Sequence, residues 1–357
     1  MNDIEKTFLS LVRLGIGKSS AIAGGLEPGD WPAIEALAEK QGLSAIVIDG
    51  LERAPVSFRP PRRMLLQWIG SVMQGYEQRY ELYRRSIAEM AGFFSSHGIK
   101  TMVLKGFACS LDWPKPEHRP AGDIDIWQFG KYKEADAILR DKGIMVDTSH
   151  HHHTVFYWRG FMVENHYDFI NVHHHKSHQE MERIFKELGQ DNSFFVEVNG
   201  ETVYLPSPNL HALFLLKHLM IHFASGEISF RQLLDWAFFA EKHRTEIDWK
   251  WLKETIDRFG MTGAFNIFNA ICIEDLGFNS SLLPSAPCEP GMKNRALKEI
   301  LSPEVQGEMP NNVLKRIGFK VCRWRANAWK HRLCYKESMW SAFWSGIWNH
   351  LLKPSSI

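Results

Sequence analysis

No apolar run in the sequence is long enough to cross a bilayer. The most membrane-like stretch, 339–352, has about 14 residues and is broken by Asn349 and His350, against the roughly 20 that a spanning helix needs. Cysteine is sparse: Cys109, Cys272, Cys288, Cys322 and Cys334 are scattered, odd in number and never in a CxxC spacing. That excludes a disulfide framework and a zinc ribbon, and it points to a reducing cytoplasm. Charge of one sign is also lacking. With Lys+Arg 42 against Asp+Glu 41 there is no global electrostatic case for wrapping nucleic acid. The start carries Asp3, Glu5 and Lys6 rather than a basic region leading into a long apolar one, so no secretion signal is expected. There is no internal repeat.

What is present is enough chain, 357 residues, for two or three packed units. Residues 1–95 read as helices. In the last of them Tyr76, Tyr80, Tyr83, Ile87, Met90 and Phe94 alternate spacings of four and three, with Gly98 as the stop. Residues 96–206 read as a mixed unit: a strand over 99–104, a turn at Gly106 with a short helix to 111, a strand over 123–129 and a helix over 132–142. Two hairpins follow, about Arg159-Gly160 and Asn199-Gly200. From 207 to 357 the pattern returns to helices, with candidates at 207–223, 229–243, 249–259 and 262–274. Strands enclosed by helices fit an α+β fold with a mixed sheet core between an N-terminal and a C-terminal helical block.

The chemistry-bearing residues cluster in the middle unit. Side chains share a face every second residue along a strand, so Asp123 and Asp125 point one way while Ile124 and Ile126 enter a core. Two adjacent carboxylates repel by roughly 4 kcal/mol at about 4 Å and an effective dielectric near 20, a conflict that a divalent cation removes. Glu164, sharing a strand face with His166 and Asp168, is the third acidic candidate; three converging carboxylates offer the hard oxygen ligands that magnesium takes. Lys105 and Arg119 are expected to compensate the charge of a polyphosphate bound at the Gly106 turn. Backbone N–H groups after Gly106 could cradle a polyphosphate, because glycine lets the main chain approach closely.

Leu104-Lys105-Gly106, Arg119-Pro120, Gly122-Asp123-Ile124-Asp125 and Val163-Glu164-Asn165-His166 together resemble the uncharacterised nucleotidyltransferase family of the polymerase-β-like superfamily. The resemblance runs over roughly residues 80–245, because Phe230-Arg231-Gln232-Leu233-Leu234-Asp235 also resembles a helix of that family. It implies a catalytic and metal-binding set of Asp123, Asp125 and Glu164 holding two Mg2+ ions, with Mn2+ as a substitute. It also implies a nucleotide-binding set of Lys105, Gly106, Arg119, His166, Arg231 and Asp235. The implied activity is transfer of a nucleoside monophosphate from an NTP such as ATP to a hydroxyl of a small-molecule or protein acceptor. The alternative is a nucleotide-binding or partner-binding module of the same fold with impaired turnover, a reading that Phe107 after the glycine favours.

Other features have plainer readings beside the functional one. Lys105 could snorkel at a strand end, and Arg231 with Asp235, four apart on a helix, could be a surface ion pair. His218 and His222 form another such pair and read as core or cleft lining. The runs His150–His153 and His173–His175 offer metal-binding imidazoles, but consecutive strand residues alternate faces, so a tetrahedral site cannot use a whole run; both read as loops. Trp340, Trp344 and Trp348 share a helical face beside a basic segment. That face suits a partner or membrane-surface contact, or docking on the chain's own core.

Overall fold

The structure is a computed structural model and describes residues 1–22, 27–173, 175–284, 286–304 and 312–340; Trp344 and Trp348 lie outside them. The chain opens with α1 (Asp3–Gly15), α2 (Trp31–Lys40), α3 (Ser44–Arg53), α4 (Arg62–Val72) and α5 (Arg79–Ser95). The mixed region holds β1 (Met102–Val103), α6 (Phe107–Ser110), β2 (Ile124–Trp127), α7 (Tyr132–Asp141), β3 (His153–Trp158), β4 (Phe161–His166), α8 (Lys176–Leu188), β5 (Phe195–Val198) and β6 (Glu201–Tyr204). Helices return as α9 (Pro208–Ser225), α10 (Phe230–Lys242), α11 (Trp249–Arg258), α12 (Thr262–Glu274), α13 (Pro290–Leu301) and α14 (Val313–Cys334). None of these helices is long and apolar enough to cross a membrane.

The chain forms two units, each assembled from separate segments. One comprises Met1–Gly75, Leu216–Arg244 and Lys253–Lys336; the other comprises Tyr76–Leu215, Thr245–Leu252 and the segment from Glu337 onward. The first is helical, with Phe8, Leu11, Val12, Ile34, Trp236 and Phe268 among its buried side chains. At the start of its α10 the Gln232 side chain reaches back to accept the Ser229 N–H at 2.8 Å, while the Gln232 N–H donates to the Ser229 carbonyl at 3.1 Å.

The second unit holds the sheet, in the order β3-β4-β2-β1-β6-β5. It is mixed. β2 runs parallel to β4 and β1 parallel to β6, while the β3–β4, β1–β2 and β5–β6 pairs are antiparallel. Both hairpin turns place their two central residues at positive φ, Arg159 and Gly160 at 50° and 85°, Asn199 and Gly200 at 52° and 83°. That is the primed turn geometry whose twist matches the strands. One sheet face is apolar, where Ile124, Ile126, Phe156 and Val163 pack against Tyr83, Ile87 and Phe94 of α5 and Ala135 and Leu139 of α7. The stripe read from α5 is therefore the helix's buried face. α5 ends as expected before Gly98, with Ile99 N–H reaching back to the Phe94 carbonyl and Gly98 N–H to that of Ser95.

Candidate active site

The parallel ladder between β2 and β4 sets Asp125 opposite Glu164 and Trp127 opposite His166. Laddered partners project from the same side of a sheet, so these groups share the face opposite the apolar core. The β3–β4 hairpin adds His153, opposite His166. Thr154 and Asn165 turn the other way, and both donate to Asp136 Oδ1, at 3.0 and 3.2 Å.

Asp125 is the centre of the group and is fully buried. Its Oδ1 accepts from Lys105 Nζ at 2.9 Å and from His166 Nε2 at 3.1 Å, while its Oδ2 is buried with no hydrogen-bond partner. Glu164 retains 19% of its side-chain exposure and places Oε2 3.6 Å from His166 Nε2 and 3.7 Å from His153 Nδ1. His166 Nδ1 donates to the Asp168 carbonyl at 3.1 Å, so both ring nitrogens face acceptors and the ring is an imidazolium. Burial alone would strip that proton, but the hydrogen bonds to Asp125 and Glu164 outweigh it and raise His166 to about 9. Burial likewise opposes the charge on Asp125, yet Lys105 and His166 hold its carboxyl well below the usual range. Lys105 keeps its charge for the same reason, its burial being outweighed by Asp125, Asp123 and Glu164. The carboxylate conflict is thus relieved inside the protein by two of its own cations. Asp123, just before β2, is served least: burial and the Asp125 charge raise its carboxyl.

Lys105 leads from β1 into the turn at Gly106, which has φ 64° and ψ −100°, a conformation costly for any side chain. A Cβ there would also collide with the Tyr83 hydroxyl, which donates to the Asp123 carbonyl at 2.8 Å. The glycine thus lets the turn and the start of β2 close on one phenol. Gly106→Ala is expected to destabilise the chain by about 1–3 kcal/mol, and part of that loss should return in Gly106→Ala with Tyr83→Phe, which removes the colliding oxygen. Denaturant melts of the four proteins in a double-mutant cycle check this; strict additivity would reject it.

The carboxylate group therefore brings together Asp125, Glu164, His166 and Lys105, with Asp123 and Gly106 alongside. Among the described residues, the clusters of donor atoms close enough to share an ion are Asp125 with Glu164 and His166, and His152 with His153 and His166. Asp123 belongs to neither. Arg119 is buried in the loop before β2, where its guanidinium donates to the Pro120 carbonyl at 3.3 Å and lies within electrostatic reach of Tyr83. Arg231 and Asp235 sit on α10, which belongs to the helical unit rather than to the unit carrying the sheet. His218 and His222 do approach each other, Nε2 to Nε2 at 3.1 Å, on α9. Asp168 lies beyond β4, paired with Lys186.

The residues that sequence reasoning passed over are His152, His153 and Tyr83. The loop reading of His150–His153 is corrected at its end. His153 opens β3 and is buried, and a bend puts His152 beside it, their ring centroids 4.3 Å apart. A signal did exist: a two-residue turn at Arg159-Gly160 fixes each cross-strand partner by counting outward, and that count sets His153 against His166.

The fit to divalent cations can be judged from the donors themselves. A buried carboxylate oxygen without a partner, on Asp125, stands beside Glu164 and within electrostatic reach of Asp123, and hard oxygen donors of this kind suit magnesium. Residues 27–274 match the sequence profile of a family described as "uncharacterised nucleotidyltransferase". The chain belongs to this nucleotidyltransferase family. All the residues of the site, and Arg231 and Asp235 as well, fall within the matched span. A solved structure similar to the chain is that of an antigenic nucleotidyltransferase-like protein from Paracoccidioides brasiliensis, 14% identical, with 57% of this chain and 96% of that one covered at a TM-score of 0.37. No curated protein matches the chain.

Proposed function

We propose that this member of the family is a magnesium-dependent nucleotidyltransferase that moves a nucleoside monophosphate from an NTP to a hydroxyl of a small-molecule or protein acceptor. The observation that supports it best is the β2–β4 register, which aligns Asp125 with Glu164 next to the Lys105-Gly106 turn and leaves a buried Asp125 oxygen unpartnered. An unsatisfied buried acceptor costs about 1–3 kcal/mol or more, so a cation there recovers what the fold gives up.

Asp125 and Glu164, with Asp123 moving in from just before β2 to complete the set, would hold the magnesium. When bound, it would stabilise charge on the triphosphate and make the acceptor hydroxyl more acidic. The chain's own residues do the rest. Lys105 places a cation beside the turn where the polyphosphate would lie, and Gly106 lets the backbone approach it. His166, protonated and hydrogen-bonded on both nitrogens, holds Asp125 ionised and fixes its orientation. Glu164, the more exposed carboxylate of the laddered pair, takes the hydroxyl proton. The bond formed joins the acceptor oxygen to the α-phosphorus; the bond broken joins that phosphorus to the oxygen bridging to the β-phosphate, and pyrophosphate leaves.

A second reading, nucleotide binding with impaired turnover, is favoured by Phe107, buried directly after Gly106, and by the two cations already seated on Asp125 Oδ1. The test is pyrophosphate release from each NTP with magnesium, with candidate hydroxyl acceptors added. Release that disappears in Asp123→Asn supports transfer. A rise in melting temperature with NTP and no release at all overturns it in favour of binding alone.

A further inference from the structure

The transfer reading uses only one of the two donor clusters. We propose that the chain also holds one divalent transition-metal ion of the zinc class on His152, His153 and His166, at the histidine-lined end of the carboxylate group. The three rings offer nitrogens that all lie within 4.8 Å of one another. Ligands about 2.0–2.1 Å from a zinc ion stand some 3–4 Å apart, so small ring rotations close the set.

Three observations show that the imidazoles are held rather than merely adjacent. First, the Nδ1 atoms of His152 and His153 are buried and have no hydrogen-bond partner, and the His153 side chain is more than nine-tenths buried. An orphaned buried nitrogen is costly unless something occupies it. Second, the His152 carbonyl accepts the N–H groups of Tyr167 at 3.0 Å and Asp168 at 3.1 Å. This double anchor to the end of β4 bends the chain just ahead of β3, so His152 and His153 do not alternate as two strand residues would. Third, His166 gives its Nδ1 proton to the Asp168 carbonyl, the outer hydrogen bond that commonly orients a metal-binding imidazole and presents its other nitrogen.

The donor type sets the metal. Imidazole nitrogen favours zinc, cobalt or nickel, whereas magnesium prefers the oxygens of the neighbouring carboxylates. Binding replaces the Nε2 proton of His166, which passes to solvent, so the hydrogen bond from that nitrogen to Asp125 Oδ1 is given up and the positive charge of the metal takes the place of the imidazolium beside Asp125. Glu164 Oε2, 3.7 Å from His153 Nδ1 and 3.6 Å from His166 Nε2, is the nearby oxygen that would serve as a fourth donor.

The test uses the full chain without an affinity tag, treated with chelator, dialysed and titrated with Co2+. Saturation near one equivalent is expected, with the visible absorption of a low-coordinate cobalt ion that zinc then bleaches. His152→Gln and His153→Gln should each weaken cobalt binding at least as much as the ~10–100-fold that loss of an outer-shell partner costs; His150→Gln with His151→Gln should not. Equal loss in that control pair, or no saturation near one equivalent, overturns the proposal. X-ray absorption at the zinc edge of the unmutated protein gives a reading independent of variant folding. Imidazole scattering with nitrogen at about 2.0–2.1 Å is expected, and a shell of oxygen alone would refute it. Failure of the transfer reading would show as absent pyrophosphate release with the cobalt spectrum intact.

Discussion

Asp125→Asn is expected to eliminate nucleotidyl transfer and, unlike most active-site substitutions, to weaken the fold severely. The side chain is completely buried and its Oδ1 carries two cations, Lys105 and His166. The amide matches the carboxylate in shape but not in charge, so both cations lose their nearest counterion at once and keep only the more distant carboxylates. Removing one member of a buried ion pair typically costs about 3–5 kcal/mol, because the remaining charge has no solvent to fall back on. On a unit of this size the melting temperature should fall by on the order of 10 °C. Under the proposed magnesium-dependent transfer, activity should drop by about 10³-fold or more, because the metal that Asp125 would hold supplies several kcal/mol of charge stabilisation in such a reaction. The two effects separate in a second variant. Lys105→Met with Asp125→Asn removes the stranded ammonium and should restore part of the melting temperature while leaving transfer absent. Recovery of activity together with stability would show that Asp125 acts only as scaffolding.

The strand face that carries Asp125 was legible in the sequence; the complete burial of Asp125 and the cause of its charge balance were not. Alternation along Asp123-Ile124-Asp125-Ile126 correctly set the isoleucines in the core, because a strand's two faces differ by one residue and apolar side chains choose the face. The same periodicity placed Glu164 with His166. What a single strand's pattern cannot supply is which strand lies beside it: that β2 pairs with β4 in parallel, crossing over through α7 and β3, follows from packing of the whole sheet. Lys105 illustrates the limit. Its residue type suggested a phosphate contact or a snorkelling strand end, and the structure makes it first the counterion of Asp125. The histidines illustrate another. Alternation is a rule for regular strands, and the bend at His152 breaks it through hydrogen bonds to residues 15 and 16 positions away, which no local window contains. Likewise a linear reading carries no signal that Leu216–Arg244 folds with Met1–Gly75.

His166→Gln is expected to reshape the pH dependence of stability, measured as melting temperature from pH 4 to 10 with chelator present. In the unmutated protein, His166 titrates at about 9 against an ordinary 6.5. The folded chain therefore keeps a proton that the unfolded chain releases above pH 6.5. The resulting stabilisation is complete below pH 6.5 and is lost as the pH rises through about 9; a shift of this size is worth about 3 kcal/mol. His152 and His153 act with the opposite sign, burial pushing them down to about 3 and about 4. Their contribution is present above pH 6.5 and drains away as the pH falls, because the unfolded chain then takes up protons that the folded rings refuse. Asp125, held low by Lys105 and His166 against its burial, adds a further loss below about pH 4. Taken by themselves, these four groups favour the fold most near pH 6.5, with a decline on each side. Glutamine keeps a neutral donor for Asp125 but binds no proton, so His166→Gln should flatten the alkaline decline between pH 6.5 and 9 and leave the burial-driven part of the acid decline in place, the part due to the His166 charge being lost. An alkaline limb identical to that of the unmutated protein would mean that the proton between Asp125 and Glu164 does not reside on His166, and the charge arrangement assigned to the site would fall with it.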